Sequence, residues 1–181
     1  IDTEDQLSDR SIALNKERFN GKSIYFQLYR NTQKWKSYLT YKDISPNFQA
    51  DVGFVVKNNR RWATLYHTYQ VFPNKPAIQF FSIGTKADVL YTYQDYLKTI
   101  SIDGIISLKT LFNTEINYTY DWDAFKNFLG RDYKNLASNR FEIQNNPSES
   151  FSMNINLTFG RDLAYNEEDP EIGKEFNFFI M

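Results

Sequence analysis

Phe151-Ser152-Met153-Asn154-Ile155-Asn156-Leu157-Thr158-Phe159-Gly160 alternates apolar side chains with small uncharged polar ones throughout. A β-strand turns successive side chains to opposite faces, so one face of this run is purely apolar and the other is hydrated. Its length, with an aromatic at each end of the apolar row, matches a strand that crosses a bilayer obliquely. A soluble sandwich gives the same alternation but has no need of aromatic ends.

The stretch 106–120 repeats the pattern. Ile106, Leu108, Thr110, Phe112, Thr114, Ile116, Tyr118 and Tyr120 share one side; Ser107, Lys109, Leu111, Asn113, Glu115, Asn117 and Thr119 share the other. Two all-β readings follow. In an antiparallel up-and-down transmembrane β-barrel, or a segment of one, Ile106, Leu108, Phe112, Ile116, Phe151, Met153, Ile155, Leu157 and Phe159 face lipid, and Lys109, Asn113, Glu115, Asn117, Asn154 and Asn156 face a hydrated lumen. In a soluble antiparallel barrel or sandwich that binds a carbohydrate or lipid through its aromatic side chains, the same apolar residues touch one another inside.

Composition agrees with half-polar strands. The 181 residues include 16 Phe, 13 Tyr and 3 Trp, yet the mean hydropathy is -0.58. No window approaches the ~18 consecutive apolar residues of a membrane helix, so any crossing is made by strands. A net charge of -1 gives no electrostatic case for nucleic acid as a partner. Cysteine is absent, which excludes disulfide frameworks, thiolate metal sites and cysteine nucleophiles.

Along the chain, residues 1–22 read as a polar lead, beginning Ile1-Asp2-Thr3 without a signal-peptide pattern, as a piece of a longer chain does. Residues 23–181 read as a barrel region of about eight to nine strands. The strands begin with Ser23 to Arg30, Lys34 to Lys42, Arg61 to Phe72 and Ala77 to Thr85. Lys86-Ala87-Asp88 reads as a tight turn into Val89 to Lys98. Residues 121–150 read as a long loop with a short helix over 123–130, where Asp123 is the cap, Gly130 closes and apolar residues recur at helical spacing. Glu175 to Met181 reads as the final strand.

Asp43-Ile44-Ser45-Pro46-Asn47-Phe48-Gln49-Ala50-Asp51-Val52-Gly53-Phe54-Val55, with Trp35 before it and Arg60, Arg61 and Trp62 after it, resembles the signature of a family of Gram-negative outer-membrane proteins of unassigned function. In that family a carbohydrate-binding, family-9-like domain precedes a carboxy-terminal β-barrel. Val56-Lys57 stands where the family often has Pro-Arg. The resemblance implies an outer-membrane location, contact with outer-membrane lipid and other envelope subunits as partners, in a pore, a scaffold or a subunit of an envelope complex. These 181 residues do not include the sugar-binding domain, so its function is not implied for them.

Chemistry-bearing residues are sparse. Glu115, Asp121 and Asp123 lie near Tyr120 and Trp122, as carboxylates beside aromatics do in glycosidases, but they read as members of a polar strand face and a helix cap. His67 is the only histidine and falls within a strand. Glu167, Glu168, Asp169 and Glu171 match no metal-loop spacing and read as a solvated loop. The expectation is a non-enzymatic chain with no cofactor, no metal site and a ligand that the sequence does not identify.

Overall fold

The computed structural model describes residues 21–46, 48, 58–111, 113–148, 151–165 and 170–181. They form nine strands: β1 (Ser23–Asn31), β2 (Trp35–Ile44), β3 (Arg60–Val71), β4 (Ile78–Thr92), β5 (Leu97–Thr110), β6 (Thr114–Phe128), β7 (Arg131–Ser148), β8 (Phe151–Leu163) and β9 (Ile172–Ile180). Each pairs antiparallel with the next in a single sheet ordered β1 to β9. The fold is therefore an all-β, up-and-down antiparallel meander, with no helix among the described residues. Among the described residues the sheet is not closed: β1 and β9 each pair on one side only. With nine alternating strands, these two edges run in the same direction.

The two faces of the sheet are chemically opposite. The ladder carries one face from Phe26 through Tyr41, Ala63, Val89 and Ile100. It carries that same face from Ile83 through Ile106, Tyr118, Phe141 and Leu157 to Phe178. The other face holds the alternate residues, chiefly Lys, Asp, Glu, Asn, Gln, Ser and Thr.

Burial runs against hydrophobicity. On the polar face Thr64 is 4% and Ser82 6% exposed, whereas their apolar neighbours Leu65 and Ile83 are 51% and 53% exposed. Side chains crowd on the inside of a curved sheet and splay on its outside, so the polar face is concave and the apolar face convex. Gly84 on the polar side fits this curvature, since a Cβ there would lie 2.8 Å from His67 O and 2.9 Å from Thr68 Cβ.

Among the described residues only Tyr133, Leu136 and Leu163 are buried apolar side chains, with Phe128 packed against them. This small cluster caps one end of the sheet. Tyr133 donates its hydroxyl to Pro170 O at 2.7 Å, tying the cluster to the β8–β9 connection. The two longest connections, from Ile44 to Arg60 and from Leu163 to Ile172, leave and re-enter the sheet at this end.

Three segments differ from the sequence reading. Lys86-Ala87-Asp88 is mid-strand in β4, paired on both sides with β3 and β5. The run 106–120 is two strands, β5 ending at Thr110 and β6 starting at Thr114. Residues 121–148, expected as a loop with a short helix, belong to β6 and β7. Leu129 and Gly130 both take positive φ, 49° and 76°, as the two central residues of a tight hairpin turn do.

Candidate functional site

The concave polar face is the candidate site, because it gathers most of the charge. Its lower part is a block spread over four strands: Ser107 and Lys109, Glu115 and Asn117, Glu142 and Gln144, Asn154 and Asn156, all in lateral register. Hydrogen bonds also run along each strand between residues on this face. Asn117 Nδ2 donates to Glu115 at 3.4 Å, Gln144 Nε2 to Glu142 at 2.7 Å and Asn156 Nδ2 to Asn154 at 2.8 Å.

Higher on the same face lies an ion-pair network. Lys86 Nζ is 2.5 Å from Asp88 and 3.5 Å from Asp103. Asp88 Oδ1 also accepts from Trp62 Nε1 at 3.0 Å and Thr64 Oγ1 at 2.5 Å. Arg140 lies 3.6 Å from Asp121, and Lys126 lies 2.9 Å from Asp123 and 3.8 Å from Asp162. Between these groups opens a depression of about 240 Å³, lined by Asp103, Asp121, Asp123, Ser138, Arg140 and Asp162 among others. Its lining sets four carboxylates, Asp103, Asp121, Asp123 and Asp162, against the two arginines Arg140 and Arg161, which favours water, polar solutes and cations over anions.

Above the network, Tyr165 follows β8 and faces Phe128 edge-on at 5.2 Å. Burial raises its phenol above the ordinary range, nearby Lys126 opposes that shift and Asp162 adds to it. Towards the β1 edge the polar face turns aromatic. Tyr38 and Tyr66 stack at 4.8 Å, and the Lys42 ammonium lies 5.2 Å from the Tyr25 ring and 5.8 Å from the Trp62 ring.

The sequence-expected residues sort as follows. Ile106, Leu108, Ile116, Phe151, Met153, Ile155, Leu157 and Phe159 all lie on the convex apolar face, and Lys109, Glu115, Asn117, Asn154 and Asn156 all lie on the polar one. Asn113 lies on neither: it sits in the β5–β6 turn with a φ of 50°. Phe112 lies outside the described residues. So do residues 47 and 49–55 of the signature-like run, Val56 and Lys57 after it, and Glu167, Glu168 and Asp169 of the acidic connection.

Glu115 and Asp121 share one strand face six residues apart, about 20 Å at the rise of a strand. Asp121 is instead in register with Asp103. The Lys86, Asp88 and Asp103 cluster was missed in sequence, because a charged triplet in mid-chain reads as a turn. Its spacing of two residues between Lys86 and Asp88 is the signal that points to a strand face.

Polar residues interrupt the apolar face in cross-strand pairs, two of them near its middle. His67 Nδ1 lies 2.6 Å from Ser37 Oγ, with its ring 5.1 Å from Trp35. Tyr118 donates to Asn139 Oδ1 at 2.8 Å. No protein family, no curated protein and no solved structure matches the chain.

Proposed function

We propose that this chain forms part of the wall of an outer-membrane β-barrel, with the convex apolar face against lipid and the concave polar face lining a hydrated interior. The observation that carries the reading is the slope of the apolar belt. At the long-loop end the belt stops at Asp43 and Arg61 on β2 and β3, in the register row of Tyr91. On β8 and β9 it stops at Arg161 and Lys174, in the row of Ala87. From β3 to β8 the charged limit thus moves four residues along the ladder, about 13 Å, over five strand spacings, about 24 Å. That slope of roughly 30° approaches the ~35–45° at which barrel strands cross a membrane plane.

Energetics supports the same direction. Large apolar side chains exposed across all nine strands cost a soluble protein on the order of 1 to 3 kcal/mol each relative to burial, and the described residues provide no second layer to cover them. In lipid they need no cover. Polar residues on the lipid face are tolerated when paired, as Ser37 with His67 and Tyr118 with Asn139 are.

Bare edges at β1 and β9 are untenable in hydrocarbon, and because those strands run the same way, antiparallel closure takes an odd number of further strands. The polar interior suits a pore, a scaffold or a subunit of an envelope complex. The resemblance of residues 43–55 to the Gram-negative family favours the outer membrane.

Fractionation of expressing cells followed by gel mobility without boiling tests this reading. Recovery with membranes and heat-modifiable migration are expected. A monodisperse protein in detergent-free buffer would move the assignment to the soluble sugar- or lipid-binding barrel.

A further inference from the structure

Arg161 and Lys174 face each other across the β8–β9 ladder. They stand on the apolar face, one position beyond the cross-strand pair of Phe159 and Phe176. Both are exposed, and neither forms an ion pair among the described residues. Like charges directly opposite one another destabilise a ladder, so this juxtaposition favours an anion between them.

The same limit of the apolar belt is built differently on β3. There the Arg61 guanidinium meets Asp43 at 3.4 Å and also Asp95, and is neutralised. Among the described residues the rim thus carries a compensated charge at β2–β3 and, at β8–β9, two positive charges without an ion pair, Arg161 also bordering the depression of the polar face.

We propose that Arg161 and Lys174 hold the phosphate headgroup of an anionic membrane lipid whose acyl chain lies along Phe159 and Phe176. The inference rests on the membrane reading above. Opposite positions in an antiparallel pair are about 4.5–5.5 Å apart at Cα, close enough for two long cationic side chains to converge on one phosphate. A guanidinium adds bidentate donors that fit phosphate oxygens. The aromatic pair one step inward marks where headgroup gives way to hydrocarbon. The carboxylates next to the pair in sequence, Asp162 and Glu175, both belong to the opposite face, where Asp162 engages Lys126 and Glu175 accepts from Asn177.

The test reconstitutes the full chain from vesicles of phosphatidylcholine with about one fifth phosphatidylglycerol. Lipid retained after detergent release is then counted by native mass spectrometry, and heat-modifiable migration reports insertion. The wild type is expected to retain phosphatidylglycerol in preference to phosphatidylcholine. Arg161→Gln and Lys174→Gln should each lower that preference by about fivefold and together remove it, with insertion unchanged, while Lys109→Gln leaves it intact.

A wild type that inserts without preference, as expected if the carboxylates of the 166–169 connection neutralise the pair, overturns the headgroup site and leaves the barrel reading standing. A double variant that keeps the preference does the same. Failure of the wild type to insert into any vesicle overturns both.

Discussion

Tyr118 on β6 reaches across the ladder to donate its hydroxyl to Asn139 Oδ1 on β7, at 2.8 Å, on the convex apolar face. The Asn139 amide sits among aromatic side chains, with Phe159 directly opposite it on β8 and Phe141 next to it on the same face of β7. Satisfying its carbonyl locally is what allows it to sit among apolar neighbours. Tyr118→Phe should therefore cost about 1–2 kcal/mol in a urea titration of the folded protein in vesicles. Adding Asn139→Val should recover part of that loss, with a coupling of about 1 kcal/mol. Additive losses would show that the hydroxyl and the amide act independently.

A lysine scan along β8 reads depth. Ile155→Lys is expected to cost about 2–4 kcal/mol, whereas Phe151→Lys and Phe159→Lys, at the two ends of the apolar row, should cost about 0–1 kcal/mol. Refolding titrations into vesicles measure this profile. Equal intolerance at all three positions is the behaviour of a packed core and contradicts a lipid face.

Asp88 anchors three donors from β3 and β4: Trp62, Thr64 and Lys86. Asp88→Ala strands Trp62 and Thr64 and leaves Lys86 only Asp103, and should destabilise by about 2–3 kcal/mol, while Asp88→Asn keeps an acceptor and should cost about half as much. Equilibrium unfolding of the two variants, side by side with the wild type, checks the ranking.

Glycines separate by face crowding. A Cβ at Gly160 on the concave face would meet the backbone of Ala137 and Ser138, which cannot yield, whereas at Gly104 on the convex face it meets nothing within 4 Å. Gly160→Ala should cost about 1–3 kcal/mol and Gly104→Ala should be neutral or slightly stabilising. Thermal melts of both variants would expose a shared response, which the curvature argument does not allow.

The faces were legible in sequence because alternation survives an error in strand boundaries. The run 106–120 is two strands, yet the register between them preserves parity, so Ile106 and Ile116 still share a face. Residues 121–130 were not legible, for a local reason. The β5–β6 register shifts between Ile100 and Ser101, where Asp123 pairs with Ser101 and Phe125 with Ile100. This bulge places Asp123 and Lys126 on one face three residues apart, as their 2.9 Å ion pair records. It likewise sets Trp122 and Phe125 on the apolar face with a spacing of three. A strand with a bulge thus imitates the i, i+3 rhythm of a helix, and Gly130 imitates its closing residue. The ion pairs of the polar face were hidden for another reason: partners such as Lys86 and Asp103 are brought together only by register.

The most direct test of the central claim is nitroxide accessibility at six consecutive positions of β8, Met153 to Thr158, in the vesicle-inserted protein. The account predicts a period of two, with Met153, Ile155 and Leu157 open to oxygen from the hydrocarbon, and Asn154, Asn156 and Thr158 open to a water-soluble nickel reagent. Water access at Ile155 equal to that at Asn156, or the reverse order, would contradict it.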